Sequence, residues 1–341
     1  MRTGRQTQKG IGMICRFFAR LLVSLALLAS CGPLALAGDA PPATKTLTPK
    51  VFPVGKWAEG IAATPQGLWV AESGARAIAL LDAKTGELRR RVAVGRLPVG
   101  MLAAADGVVS ALVQTDRAIW RQPARGRGRA IADLPGCPNA IAQAESALWV
   151  LTMPACSSDS AQLVRVDPKS GAKTTSALLG QWGEALAAGA EAVYVVHARP
   201  PALDIVDGKT LSARTFDPHD LSLWAVVAGR DRLIAGGRIN SDWSKGVVAS
   251  FDPKSGVERQ RCLVDQMIVA LAADEKSVVA VGEKGRLWVL SPKDLSIQAV
   301  IDLSTGPFKA RAAVISNGAL YVTSQEQFGD KGAVFGISDW R

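Results

Sequence analysis

Few side chains in this chain have the type and spacing for chemistry. There are only two histidines, His197 and His219. His219 lies in Pro218-His219-Asp220, where a carboxylate beside an imidazole could orient a general base. The competing reading is a loop histidine satisfied by its neighbours. Glu59 and Glu184 stand at equivalent points of two sequence repeats. Carboxylates paired across a channel can hold a divalent cation or do acid–base work. They can equally meet Lys56, Arg96, Lys309 or Arg311 in salt bridges. There is no nucleophile motif, no glycine-rich phosphate loop and no metal-binding box, and the cysteines lack zinc-ligand spacing.

A second group of residues suits binding better than reaction. Of nine tryptophans, Trp57, Trp182, Trp224 and Trp243 fall between the predicted strands. With Glu59, Arg96, Lys309 and Arg311 they form a candidate ligand- or partner-binding set, because aromatic and arginine side chains are enriched at recognition surfaces. The alternative is that each indole lids the core of its own repeat. Glu72, Asp116, Arg117, His197, Arg199, Arg238, Asn240, Asp242, Lys284, Gln325, Glu326 and Phe328 are expected on the same face.

The elements that must position these residues come from a repeat. Trp69, Val109, Trp149, Tyr194, Ile234, Val279 and Tyr321 recur at spacings of 40, 40, 45, 40, 45 and 42 residues. A period of this length marks the blades of a propeller, each of four strands. Small apolar runs such as Gly60-Ile61-Ala62-Ala63 suit the innermost strand, where space is short. Asp82-Ala83-Lys84-Thr85-Gly86 recurs as Asp167-Pro168-Lys169-Ser170-Gly171 and Asp252-Pro253-Lys254-Ser255-Gly256, with weaker copies at Asp207 and at Ser291-Pro292-Lys293-Asp294. These aspartates read as turn-formers rather than catalytic acids. Trp69, Trp149, Tyr194, Tyr321, Trp120 and Trp288 read as packing residues. The last repeat has only three strands, and residues 51–55 resemble the fourth strand of the first. The reading is an all-β, seven-bladed β-propeller whose N-terminal strand completes the last blade and leaves no open sheet edge.

The first 37 residues carry Arg2, Arg5, Lys9, Arg16 and Arg20, then an apolar run and Ala35-Leu36-Ala37. This is the pattern of a cleaved signal peptide. Leu28-Ala29-Ser30-Cys31 offers a second route, lipidation at Cys31 and a membrane tether. The expected organisation is a signal peptide over 1–37, a flexible segment over 38–48 and the propeller over 49–341. The formal charge of +10 belongs half to the leader, so the mature form is only mildly basic. Arg121, Arg125, Arg127 and Arg129 read as a solvated outer edge, with contact to an acidic partner or lipid surface as the alternative. Nucleic acid is not an expected partner. Cys137 and Cys156 fall in loops on one rim and are paired as a disulfide, which suits an oxidising compartment. Cys262 reads as a buried free thiol in an outer strand.

The blade text, Gly67-Leu68-Trp69-Val70-Ala71-Glu72 followed by residues 77–86 and Val94-Gly95-Arg96-Leu97-Pro98-Val99-Gly100, resembles periplasmic propellers with YVTN-type repeats and streptogramin-lyase-like propellers. The lyase members imply a metal-assisted elimination using histidine and glutamate. The function read here is an exported, periplasmic or secreted cell-envelope propeller, a ligand- or protein-binding and scaffolding module acting through its loop-rich face. Its partner would be an envelope protein or a small molecule, with no cofactor and a monomeric state. The alternative is a metal-assisted lyase or hydrolase using His219 and Glu184 around a divalent cation. A third reading is a structural subunit of a larger redox or assembly complex.

Overall fold

The first repeat shows how the unit folds. Ala58–Thr64 pairs antiparallel with Gly67–Glu72, which pairs with Ala77–Leu81, which pairs with Leu88–Ala93. Every residue of Gly67–Glu72 is buried, while Leu88–Ala93 is mostly exposed. Burial thus falls from the inner strands to the outer one, as the apolar-to-polar drift of the repeat requires. The computed structural model describes residues 44–341 except 145, 158, 230, 304 and 305. The expected signal peptide, its expected cleavage site and Cys31 lie outside the described residues.

Seven such sheets form the chain, which is the seven-bladed propeller expected. The closure is also as expected: Lys50–Val54 is the outer strand of the last blade, paired antiparallel with Gly332–Ile337. One segment differs from the sequence reading. Thr44–Leu47, expected within a flexible stretch, runs parallel to Ile297–Leu303 as a fifth strand on blade six. Its backbone covers an outer edge that would otherwise be unpaired. Among the described residues the helical structure is one short 3-10 turn, Ser73–Ala75.

The core lies between blades. Phe52, Ala58, Ile61, Leu68, Val70, Leu81, Tyr321 and Val334 form the cluster that joins the last blade to the first. Trp69, Trp149, Tyr194, Tyr321 and Trp288 are buried at equivalent interfaces, and Trp120 is half-buried. Trp340, near the C-terminus, is 1% exposed and donates from Nε1 to the Gly318 carbonyl at 2.9 Å, sealing the neighbouring cluster. The turn aspartates act as read: Asp82 Oδ1 accepts the Lys84 and Thr85 N–H groups, each at 2.8 Å, and Asp167, Asp207 and Asp252 do the same. These bonds hold the Asp82 carboxyl down at about 2. Basic side chains then reach from one blade to the next. Arg121 donates to Pro168 O at 2.6 Å and Arg214 to Lys254 O at 2.8 Å. Arg125, Arg127 and Arg129 are exposed.

Candidate functional site

Two loop sets meet on one face because the second-to-third-strand loop of each blade grips the entry to its own inner strand. The Ser73 N–H donates to Trp57 O (3.0 Å), Gln114 to Leu97 (2.9 Å), Ala198 to Trp182 (3.3 Å), Asn240 to Asp220 (2.7 Å), Glu283 to Met267 (3.0 Å) and Gln327 to Pro307 (3.0 Å). In blade three the Cys137–Cys156 disulfide, with Cα atoms 4.9 Å apart, occupies the same joint. The pairing inferred from the sequence is therefore present. Trp57, Leu97, Trp182 and His219 enter their blades with φ between 50° and 60°. This left-handed conformation is costly for a bulky residue, and Trp57, Trp182 and His219 are exposed there.

Below the loops, every inner strand carries a β-bulge at the same level. The register shifts between Ala58 and Ile61, Pro98 and Met101, Pro138 and Ala140, Gly183 and Ala185, Leu223 and Ala225, Ile268 and Ala270, and Ala310 and Ala312. A bulge leaves its extra residue out of the ladder and re-aims its side chain. The residues so released are Glu59 with Gly60, Val99 with Gly100, Asn139, Glu184, Trp224, Val269 and Arg311. Trp224, Glu184, Glu59 and Arg311, placed in loops by the sequence reading, thus belong to strands. All but Arg311 and the glycines are half-buried, and Arg311 is exposed. Cross-blade bonds hold this ring: Asn139 Nδ2 donates to Gly183 O (2.9 Å) and Glu184 O (3.1 Å), and Thr323 Oγ1 to Glu59 O (2.6 Å). Gly60 is required there, since a Cβ would lie 2.2 Å from Val99 O of the next blade.

The electrostatics of the ring are uneven. Burial raises the Glu59 carboxyl above its ordinary range, against the pull of Arg311. Gln325, with its amide oriented to satisfy both neighbours, donates to Glu59 Oε1 at 3.2 Å and accepts from Arg311 Nε at 3.1 Å. Burial also raises Glu184, against His197 and Arg199. Lys309 is half-buried beside this group, in Phe308–Ser316.

Several candidates are committed elsewhere. Glu72 is fully buried, accepting from Gly55 N (2.7 Å), Arg91 Nε (2.7 Å) and Arg91 Nη2 (2.9 Å), and is not open to a ligand. Its strand ends one level beneath the loops. His197 is also fully buried. Its Nδ1–H donates to Gln181 O at 2.8 Å and its Nε2 shares a proton with Asp204 Oδ2 at 2.8 Å, while Thr215 bonds the other carboxylate oxygen. Arg96 is closed onto Asp116 through Nε and its own N–H, both at 2.7 Å, and Lys56 pairs with Asp330. His219 is exposed, and its N–H donates to Asp217 Oδ1 at 2.7 Å. No hydrogen bond or ion pair joins His219 to Glu184 among the described residues. Nor do three His, Cys, Asp or Glu side chains converge there as a metal-holding group. Cys262 is half-buried rather than buried, because the outer strand of blade five has solvent on one side.

What remains open is aromatic. Trp57 is 42% exposed, Trp182 45%, Trp243 66% and Phe328 95%, and all four lie on the loop-rich face. Arg238 lies over the Trp224 and Trp243 rings, its Cζ 4.9 and 3.9 Å from their centroids. The sequence placed all three on this face, but nothing in their spacing signals the stack. Surface hollows also lie on the opposite face, between hairpin turns. One of about 680 Å³ is lined by Phe52, Gln66, Asp82, Lys84 and Tyr321, and their polar groups are those that build the turns.

No protein-family model and no curated protein sequence matches the chain. Solved structures do. A catalytically inactive virginiamycin B lyase from Staphylococcus aureus, crystallised with quinupristin, superposes with a TM-score of 0.69 at 14% identity, over 84% of this chain and 99% of that one. A streptogramin B lyase gives 0.67 at 12% identity, over 84% and 96%. The WD40 repeats of RRP9 give 0.67 at 12% identity, over 85% and 99%. One architecture thus carries an enzyme and a WD40 domain almost equally well, so likeness at this identity speaks for the ring and not for the site. The chain is an all-β, seven-bladed propeller of the shape shared by streptogramin B lyases and WD40 domains.

Proposed function

We propose that this propeller is an exported cell-envelope binding or scaffolding module that takes a ligand or protein partner on its loop-rich face. The observation that carries the reading is the one-sided placement of the exposed aromatics. Among the described residues, the exposed Trp and Phe side chains are Trp57, Trp182, Trp243 and Phe328, and no exposed one lies on the opposite face. Exposed tryptophan is costly in water, and desolvated aromatics with arginine dominate recognition energetics. Leader-directed export, by cleavage after Ala37 or by lipidation at Cys31, places this face in the envelope.

Among the described residues nothing favours the metal-assisted alternative: His219 is exposed on its loop, and Glu184 lies beside His197 and Arg199 with no bond to His219. The test is capture from native envelope extract by immobilised wild type and by a Trp57→Ala/Trp182→Ala/Phe328→Ala variant. Circular dichroism would first show that the variant is folded. A component held by wild type and lost by the variant supports the reading. Equal retention by both places recognition on another surface.

A further inference from the structure

Arg238 is half-buried and differs from the arginines of the described chain that form ion pairs. Arg91, Arg96, Arg261 and Arg286 each meet at least one carboxylate. Arg238 meets none: no hydrogen bond or ion pair forms at its guanidinium among the described residues, and its Nε is buried without a partner. Burying such a group unsatisfied costs on the order of 1–3 kcal/mol, more for a charged one.

Its surroundings fix it in place instead. Arg238 closes the second strand of blade five, Leu233–Ile239, opposite Ser222 and Gly246. Trp224 comes from the bulge of the inner strand and Trp243 from the adjoining loop. The Trp243 ring is 66% exposed, yet its Nε1 is tied to Asn240 O at 3.1 Å, which holds the indole over the guanidinium. A cation within about 6 Å of an indole centroid is attracted by the ring quadrupole. Those rings flank the guanidinium without using its N–H donors. The exposed Arg199, from blade four, adds a like charge nearby; Glu283 partly offsets it from blade six, and Arg199 itself also lies beside Glu184. Two cations, one preorganised between aromatics with its donors idle, make the electrostatic complement of an anion.

We propose that the Trp224–Arg238–Trp243 stack is an anion-recognition site for the carboxylate or phosphate group of a small ligand, with Arg199 as the second cation. The planar guanidinium fork matches either group in bidentate fashion. The indoles have already fixed the arginine rotamer, so less ordering entropy is lost on binding. The indoles would also lie against an apolar part of the ligand. This inference rests on the reading of the loop-rich face as the binding face, and specifies its chemistry.

The test is a titration of tryptophan fluorescence in the mature protein, with inorganic phosphate and with acetate, at ionic strength held constant by chloride. Wild type is expected to give a saturable change with at least one of them. Phosphate alone assigns a phosphorylated ligand, and acetate alone a carboxylic acid. Arg238→Gln should weaken that binding about tenfold or more, the effect of losing one charge-assisted bidentate contact. Arg199→Ala, at an exposed position, should weaken it several-fold and does not depend on the Arg238 variant folding. No saturable response over chloride, or an unchanged constant in Arg238→Gln, overturns the proposal. The Trp57→Ala/Trp182→Ala/Phe328→Ala variant keeps this site, so it separates the two readings. Loss of partner capture with anion binding intact refers only to the wider face, and the reverse only to this site.

Discussion

The seam between the closing strand and blade one predicts an asymmetry between two partners of a single ion pair. Glu72 has a side chain 0% exposed, whereas Arg91 is 46% exposed. Glu72 accepts three bonds, two from Arg91 and one from the N–H of Gly55, which directly follows the closing strand. Replacing Arg91 by Met leaves a carboxylate buried with one backbone donor, which costs about 3–5 kcal/mol. Replacing Glu72 by Gln leaves the charge on Arg91, which rehydrates, while the amide oxygen keeps the Gly55 bond. That costs about 1–2 kcal/mol. The difference, about 2–3 kcal/mol, separates the urea midpoints by roughly 0.7–1 M for an m-value of about 3 kcal/mol/M. The order is therefore wild type, then Glu72→Gln, then Arg91→Met. Adding Glu72→Gln to Arg91→Met should recover stability, because it removes the buried charge that the single change stranded. Equilibrium unfolding of the four proteins, followed by tryptophan fluorescence, tests this. If the double variant is no more stable than Arg91→Met, the desolvated carboxylate is not the dominant cost and the reasoning fails.

Three further outcomes follow from the same geometry. Trp182→Gly should be more stable than Trp182→Ala by roughly 0.5–1 kcal/mol, since both remove the indole but only glycine takes φ of 50° without penalty; thermal unfolding in which alanine is the better replacement would refute the strain. The turn carboxylates lie below their unfolded value of ~3.9 in the folded chain, Asp82 and Asp294 at about 2. Their stabilisation is full above ~pH 4 and is lost as the pH falls through about 2, so Asp82→Asn should flatten that part of the stability profile and leave the slope above ~pH 5 unchanged. Reducing the Cys137–Cys156 bond, which closes a separation of 19 residues, should cost about 3 kcal/mol; a Cys137→Ser/Cys156→Ser variant with an unchanged denaturant midpoint would contradict this.

The scaffold was legible because its signals are local. Asp82 and its copies announce hairpin turns through side-chain chemistry within four residues. Trp69 and its equivalents mark the packed strand of each blade. The disulfide followed once the blade register placed Cys137 and Cys156 on one rim. The site was legible only as a list of residues on a face. A one-residue bulge leaves no mark on composition, so Glu59, Glu184, Trp224 and Arg311 read as loop residues although they are aligned members of strands. Glu72 and His197 were misplaced for the converse reason: they end their strands just beneath the loops, where full burial demands internal partners, Arg91 and Asp204. Arg96 looked available, but its partner Asp116 lies 20 residues away, across the joint that only the folded blade creates.

The bulges also make a repetitive ring differ from blade to blade, which bears on the proposed binding face. Outside the bulge level the blades are near-equivalent and offer a ligand seven similar positions. At that level the blades contribute Glu59, Val99, Asn139, Glu184, Trp224, Val269 and Arg311, and the charged ones, with their neighbours, form two groups. Arg311, Gln325 and Glu59 connect the last blade to the first. Glu184, Arg199 and Arg238 gather around blades four and five, across the ring. Val99, with Asn139 on one arc and Val269 on the other, separates the groups. The first group is internally paired, acid to base through an amide. The second keeps Arg238 unpaired and presents it beside two indoles. If the proposed site binds as inferred, a ligand with one anionic end would meet Arg238 in one orientation, and the reversed pose would leave its charge beside the paired Glu59–Gln325–Arg311 group. On the proposed reading, specificity on this face would come from where pairing is withheld, not from the number of charges around the axis.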